Sequence, residues 1–274
     1  MLMVEANGAA IPAIGLGTAQ LRGDVCKEMV STALRIGYRH IDTAVMYGNE
    51  EAVGDGIRAS GIAREAVFVT TKVLPSELDE GDLQRSAEAS LRRLGLSAVD
   101  LLLVHWPNPK IPLARTMPAL ADAKRRGLAR HVGVSNFTVA LIEEATALCP
   151  EPLVTDQVEY HPQLDQTKVL SACRAKGMAL TAYSPLGRGA VLREPTITEI
   201  AGAKGKSPSQ ITLRWLIQQE GVVAIPRTSK AARLAENLAV LDFALTEAEM
   251  ARIFALARPD GRQLHTSWAP SWDR

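Results

Sequence analysis

Apolar and polar positions along this chain fall into short β-branched runs separated by longer stretches of helical period. The first residues pattern as a hairpin: apolar LMV, an Asn7-Gly8 pair that favours a tight turn, then AIPAI. Strand-like runs follow at GLGT, HIDTA, VFVTTK, VDLLLVHW, ARHVGVSN, LVTDQVEY, MALTAYSP and VVAIPRT, eight in all, with GLGT the weakest. Between them, VCKEMVSTALRIG, LQRSAEASLRRLG, TMPALADAKRRG and VLSACRAKG repeat apolar residues at helical spacing. Each ends in an Arg- or Lys-bearing turn followed by Gly37, Gly95, Gly127 or Gly177, a helix stop signal. Repeated βα units imply parallel strands with right-handed crossovers. Eight units closing on themselves predict an α/β fold of the (β/α)8 TIM barrel kind, with an N-terminal β-hairpin.

An open doubly wound sheet is the alternative topology, and it would ordinarily place a nucleotide at a Gly-rich first turn. Here GLGTAQ has Gln20 where the third glycine of the dinucleotide fingerprint belongs. In the last third the alternation loosens. LGRGAVLREP reads as a long loop, TITEIAGAKG and SPSQITLRWLIQQEG as helices, and HTSWAPSWDR as an aperiodic C-terminal arm or lid. No linker or repeat divides the chain, so one domain spanning residues 1–274 is expected.

Composition narrows the function classes. Lys plus Arg number 31 against 30 for Asp plus Glu, a net charge of +1 that offers no footprint for nucleic acid or an anionic membrane. No apolar run approaches the roughly 18 residues of a membrane helix, and MLMVEANGAA lacks a basic leader, so a cytoplasmic protein is expected. Cys26, Cys149 and Cys173 are widely spaced with no CxxC, which argues against a disulfide framework or a zinc site. No HxH or clustered carboxylates stand at strand ends, so no metal is expected.

Four polar residues fall at or just past the ends of these runs: Asp42, Tyr47, Lys72 and His105. In a barrel the C-terminal strand ends form the active site, so the four could share one pocket. The set suits proton donation to a carbonyl oxygen. An ammonium at Lys72 would be expected to lower the pKa of the Tyr47 phenol, Asp42 to keep the lysine charged and aimed, and His105 to hydrogen-bond the carbonyl. Each also has a structural reading alone: Asp42 as a cap or turn residue, His105 as a satisfied buried histidine, Lys72 as a structural ion pair. His161 is expected to brace a strand end, and His40 and His131 to flank strands on the N-terminal side.

At the level of motifs the chain resembles the aldo-keto reductases over essentially its whole length. GYRHIDTAVMYGNE, TTK, LLLVHWP, VGVSNF, QVEYHP, AYSPLGRG and AIPRTSKAARLAENL occur in that family's order. The tail SWAPSWD resembles the short bacterial members similar to 2,5-diketo-D-gluconate reductase B, a type also associated with methylglyoxal reduction. The resemblance implies a barrel that binds NADPH extended, with Tyr47 as general acid, Lys72 and Asp42 as its tuning pair and His105 orienting the carbonyl.

The same resemblance assigns the cofactor contacts. Ser135, Asn136 and Gln157 match positions that bond the carboxamide, Tyr183 the aromatic stacked on the nicotinamide, and Thr18 and Asp42 positions beside its ribose. Ser184, Leu186 and the loop through Arg188 would follow the pyrophosphate, and Glu236 and Asn237 would reach the adenine. The residue types after VVAIP point to the phosphate end independently: Arg227, Thr228, Ser229, Lys230 and Arg233 gather at a helix N-terminus, which suits a 2′-phosphate. Substrate would meet Ala19, Met46, Tyr47, Leu74, His105 and Trp106. Ala19 and Leu74 stand where an aromatic is common, so a roomier pocket is expected, with Trp268 and Trp272 available to refill it. The expected function is NADPH-dependent reduction of small aldehydes, α-keto aldehydes or keto sugars by a monomer. A barrel that binds NADPH without catalysis, in a regulatory or structural role, is the alternative.

Overall fold

The computed structural model describes residues 1–273; Arg274, the last residue of the expected arm, lies outside them. The N-terminal hairpin pairs β1 (Met3–Ala6) with β2 (Ala9–Pro12) antiparallel, Ala6 opposite Ala9. Asn7 and Gly8 make the turn with φ of 45° and 84°. Those left-handed values are what a two-residue hairpin demands, and Asn and Gly reach them most cheaply. The Asn7 side chain donates to Leu153 O at 2.7 Å and Lys176 O at 2.9 Å, which ties the hairpin to the barrel.

The remaining strands form one parallel sheet. They are β3 (Leu16–Gly17), β4 (His40–Asp42), β5 (Phe68–Val73), β6 (Val99–Val104), β7 (Ala129–Ser135), β8 (Leu153–Glu159), β9 (Ala179–Tyr183) and β10 (Val222–Ala224). Among the described residues the sheet has eight strands in strict chain order from β3 to β10. Its edges meet at the Ile14–Ala224 bridge, where Gly15 N–H donates to Ala224 O and Ala224 N–H to Ala13 O, both at 2.9 Å. The sheet therefore closes, and the expected (β/α)8 barrel with its hairpin is the observed fold. His40 opens β4 as expected, whereas His131 stands third in β7.

Outside the strands lie α1 (Gly23–Ile36), α2 (Glu50–Ser60), α3 (Asp82–Leu94), α4 (Leu113–Arg125), α5 (Val139–Leu148), α6 (Thr167–Ala175), α7 (Pro195–Lys204), α8 (Pro208–Ile217), α9 (Ala231–Leu238) and α10 (Glu247–Phe254). The strands carry almost unbroken buried runs, as parallel strands covered on both faces must. Between strands and helices sits the core, with Tyr38, Phe137, Tyr160 and Trp215 its largest buried side chains apart from Lys72. From residue 261 to 273 the chain follows the surface without helix or strand.

Helix α2 is wedged between its neighbours through two glycines. A Cβ on Gly54 would stand 2.1 Å from Leu94 O at the end of α3, and one on Gly56 would stand 2.7 Å from Val30 Cβ on α1. Backbone cannot yield as a side-chain tip does, so close approach overrides the helix propensity of alanine here. Gly54→Ala is expected to destabilise the fold by about 1–3 kcal/mol through overpacking. Gly202→Ala on α7, where nothing lies within 4 Å, is expected to stabilise it by up to about 1 kcal/mol. Denaturant midpoints of the two variants, compared with the parent chain, test the opposite signs.

Candidate active site

The barrel interior at the C-terminal strand ends holds a charge pair with no access to solvent. Lys72 reaches inward from β5 and its Nζ lies 2.5 Å from Asp42 Oδ1 on β4, 2.9 Å from Thr43 O and 3.5 Å from the Tyr47 hydroxyl. Three partners thus face an ammonium with three donors. The second carboxylate oxygen of Asp42 accepts from Gln157 Nε2 at 2.8 Å. Gln157 belongs to β8, four strands from β4 in the sheet, so that bond crosses the barrel interior.

Tyr47 arrives from a single turn of 3-10 helix, Val45–Tyr47, directly after β4. Asn49 holds that turn in place: its Oδ1 accepts from Thr43 Oγ1 at 2.8 Å, and its Nδ2 donates to Thr18 O at 2.8 Å and Leu21 O at 3.0 Å. Thr18 in turn donates from Oγ1 to Asp42 O at 2.9 Å. Across the pocket the His105 ring meets the Tyr47 ring edge to face at 5.7 Å between centroids. His105 Nδ1 is buried with no hydrogen-bond partner. The structure brings the four polar residues into one contact group: Lys72 meets Asp42 and Tyr47, and Tyr47 meets His105.

Electrostatics in the pocket depart from expectation at one position. Burial raises the Tyr47 phenol above its ordinary value and the Asp42 carboxylate adds to the rise, where the sequence reading expects Lys72 to lower it. The Lys72 charge is already engaged by Asp42, and its Nζ stands at the limit of hydrogen-bond range from the phenol. The phenol therefore keeps its proton at neutral pH. Burial also lowers Lys72, with Asp42 opposing that shift. Burial and then the nearby Lys72 charge push His105 down to about 3, so its imidazole is neutral in the physiological range.

A second polar cluster adjoins the first. Ser135 Oγ donates to Gln157 O at 2.7 Å, and Asn136 Nδ2 donates to His105 O and to Ser135 Oγ, each at 3.0 Å. Tyr183 donates its hydroxyl to Asn136 Oδ1 at 2.8 Å. Asn136 and Ser184 both hold left-handed backbone, φ 65° and 47°. These side chains form one hydrogen-bonded cluster beside His105, and their amides and hydroxyls suit a neutral amide ligand such as a carboxamide.

Farther round, β10 leads to α9. Arg227, Ser229 and Arg233 are exposed and Thr228 is buried, its Oγ1 accepting from Lys230 N–H at 3.0 Å. No side chain caps the N-terminus of α9, and Arg227, Thr228, Ser229 and Arg233 stand next to it in the chain. That donor set fits a phosphate. Arg227 also bonds Gln20 on the opposite side of the barrel seam at 2.5 Å. Glu236 is engaged by the Ser207 hydroxyl, and Asn237 is buried. Leu186 and Arg188 sit on the β9–α7 connection, where Gly187, Arg188 and Gly189 take successive positive φ of 52°, 49° and 96°.

Of the residues expected to meet substrate, Trp106 is buried, Ala19 and Leu74 are half-buried, and Met46 is 44% exposed at the rim. Trp272 folds back edge-on to Trp106, 6.1 Å between centroids, whereas Trp268 is 52% exposed. Of the two arm tryptophans, Trp272 is thus the one that packs on Trp106. His161 braces a strand end as expected, its Nε2 3.2 Å from Glu159 Oε1. Glu159 itself has no assigned role from sequence, although it stands within QVEYHP, and Asn49 likewise stands unassigned within GYRHIDTAVMYGNE; spacing alone does not reveal what either one binds. Among the described residues no group of His, Cys, Asp and Glu could hold a metal ion, and no helix is long and apolar enough to cross a membrane.

Comparison with known proteins agrees with this geometry. The model of the Aldo/keto reductase family matches residues 13–258. The chain is 40% identical over 267 residues to methylglyoxal reductase DkgB of Yersinia pestis, covering 96% of this chain and 100% of that one. It is also 40% identical to glyoxal reductase of Bacillus subtilis, covering 93% and 92%. A crystal structure of a protein provisionally named 2,5-diketo-D-gluconic acid reductase B superposes with a TM-score of 0.98 at 46% identity, over 100% of this chain and 98% of that one. A Bombyx mori aldo-keto reductase solved in complex with NADP superposes at 0.90 with 33% identity, over 97% and 95%. With barrel, pocket and motifs in agreement, the chain belongs to the aldo/keto reductase family.

Proposed function

We propose that this protein is an NADPH-dependent reductase of small aldehydes, α-keto aldehydes or keto sugars, with Tyr47 as its general acid. The observation that carries the reading is a half-buried phenol 3.5 Å from a sealed ammonium–carboxylate pair and edge-on to a buried imidazole, all at the C-terminal end of the barrel. Relatives named methylglyoxal reductase and glyoxal reductase support the carbonyl substrate class. Nothing in the site favours a binding protein without catalysis.

When bound, the nicotinamide supplies hydride to the carbonyl carbon. The protein's own contribution is to manage the oxygen. Neutral His105 donates a hydrogen bond that fixes the carbonyl and favours the charge developing on it. Tyr47 then gives up its proton to that oxygen. A phenol is a stronger acid than an aliphatic alcohol, so the oxygen that takes up the hydride-derived charge is a fitting acceptor for the Tyr47 proton. Lys72, 3.5 Å away, favours the phenolate left behind, and Asp42 keeps the ammonium aimed. Ser135, Asn136 and Gln157 would hold the carboxamide, Tyr183 the ring face, and Thr228, Ser229, Arg227 and Arg233 the 2′-phosphate. Trp106 and the arm exclude water from the carbonyl.

Three outcomes follow. Tyr47→Phe should retain NADPH binding and lose reduction of methylglyoxal by at least about 10²-fold, as expected for removal of a positioned acid; undiminished NADPH oxidation would reject the role. Arg233→Ala should weaken NADPH about tenfold, on the order of 1–2 kcal/mol, and leave NADH nearly unaffected in a binding titration. Because His105 stays neutral, the pH profile of kcat/KM should show no His105 ionisation between about pH 5 and 8. An inflection there that vanishes in His105→Gln would contradict the neutral-donor role.

A further inference from the structure

Glu159, the last residue of β8, has no exposed surface and lies outside the proton-transfer group. Its Oε1 accepts from Gln263 N–H at 2.8 Å and its Oε2 from Leu264 N–H at 3.0 Å. His161 Nε2 stands 3.2 Å from Oε1, and Arg262 Nη1 stands 4.0 Å from Oε2. Burial works against the carboxylate, yet the bonds from His161, Gln263 and Leu264 outweigh it and hold Glu159 below the ordinary range. Two consecutive backbone donors on one ionised carboxylate fix both the place and the direction of the arm. An arm without helix or strand has no ladder of its own, so such anchors decide its course.

Two lines of contact leave this anchor. Along the first, the Arg262 guanidinium lies 3.6 Å over the Trp272 ring, Trp272 packs edge-on to Trp106, and Trp106 follows His105 in the chain. Along the second, Gln263 Nε2 donates to Gly187 O at 2.9 Å, in the loop of successive positive φ between β9 and α7. One side of the anchor thus reaches Trp106, the neighbour of His105 in the chain, and the other reaches the segment proposed to follow the pyrophosphate.

We infer that Glu159 is a positioning residue that couples closure of the carbonyl pocket by Trp272 to occupancy of the cofactor loop at Gly187. The inference rests on the reductase reading above. Cofactor seated against the loop fixes Gly187, Gly187 O fixes the Gln263 side chain, and the Glu159 clasp carries that order to Arg262 and Trp272. Glutamine cannot replace the clasp, because it keeps one acceptor oxygen and turns an NH2 donor toward a backbone N–H.

The test uses the full chain and two readouts, hydrogen exchange of residues 261–273 with and without NADPH, and steady-state reduction of methylglyoxal at saturating NADPH. In the parent chain NADPH should slow exchange of the arm. Glu159→Gln should speed that exchange, abolish its response to NADPH, and raise KM about tenfold with kcat within about threefold, the mark of lost binding rather than lost chemistry. Gln263→Ala keeps the backbone clasp, so its arm should stay slow to exchange but lose the response to NADPH. Trp272→Ala should raise KM as Glu159→Gln does while residues 261–264 stay protected. Unchanged arm exchange in Glu159→Gln, or a loosened arm with unchanged KM, overturns the proposal. If Glu159→Gln fails to fold, an arm that still responds to NADPH in Gln263→Ala overturns it instead. Failure of the reductase reading looks different: the parent chain itself would bind NADPH without turning over any carbonyl.

Discussion

The buried contact between Lys72 and Asp42 sets the terms for everything around it. An ammonium without solvent costs several kcal/mol unless its charge and all its donors are matched. Here Asp42, Thr43 O and the Tyr47 hydroxyl supply the match. Matching draws on three separate pieces of chain: the end of β4, the turn that follows it, and the C-terminal end of β5. It also spans the barrel, because the second Asp42 oxygen is held by Gln157 from β8. The strand ends cannot shift independently without exposing a charge or leaving it unpaired. Precision at the reacting atoms is therefore a by-product of the need to keep one lysine satisfied.

The same constraint explains why the surrounding polar groups are so fully committed. Asn49 ties Thr18 and Thr43 together, Asn136 ties His105 to Tyr183, and Ser135 ties back to β8. Each bond fixes a rotamer that would otherwise be free to turn. Within this set His105 Nδ1 and one oxygen of Asp156 are buried without a protein partner. Asp156 faces away from the barrel interior toward Phe137, whose N–H it accepts at 3.3 Å, and burial raises it well above the ordinary carboxylate range.

Much of this was legible in the residues. Strand runs, glycine stops and the missing third glycine at Gln20 argue for a closed barrel over an open dinucleotide fold, and the strand-end positions of Asp42, Lys72 and His105 place them at one rim. Tyr47 and Lys72 could be paired on chemical grounds. The direction of the Tyr47 shift could not, because it depends on burial and on how far Asp42 engages the ammonium, and neither quantity is a property of spacing. Glu159 escaped for a related reason: its partners are backbone N–H groups from an arm whose course no periodicity describes. Gly54 and Gly56 read as helix weakeners on propensity, and only the position of α3 and α1 shows them to be the reason α2 fits.

Barrel closure rests on the shortest of the strands. β3 spans two residues, and the seam to β10 consists of the Ile14–Ala224 bridge, a bond from Gly17 N–H to Pro226 O at 3.1 Å, and the contact of Gln20 with Arg227. A dinucleotide lying from Tyr183 to Arg233, as proposed, would run alongside that seam. Ligand binding and barrel closure would then draw on the same free energy, as mass action requires of any ligand held only by the closed form.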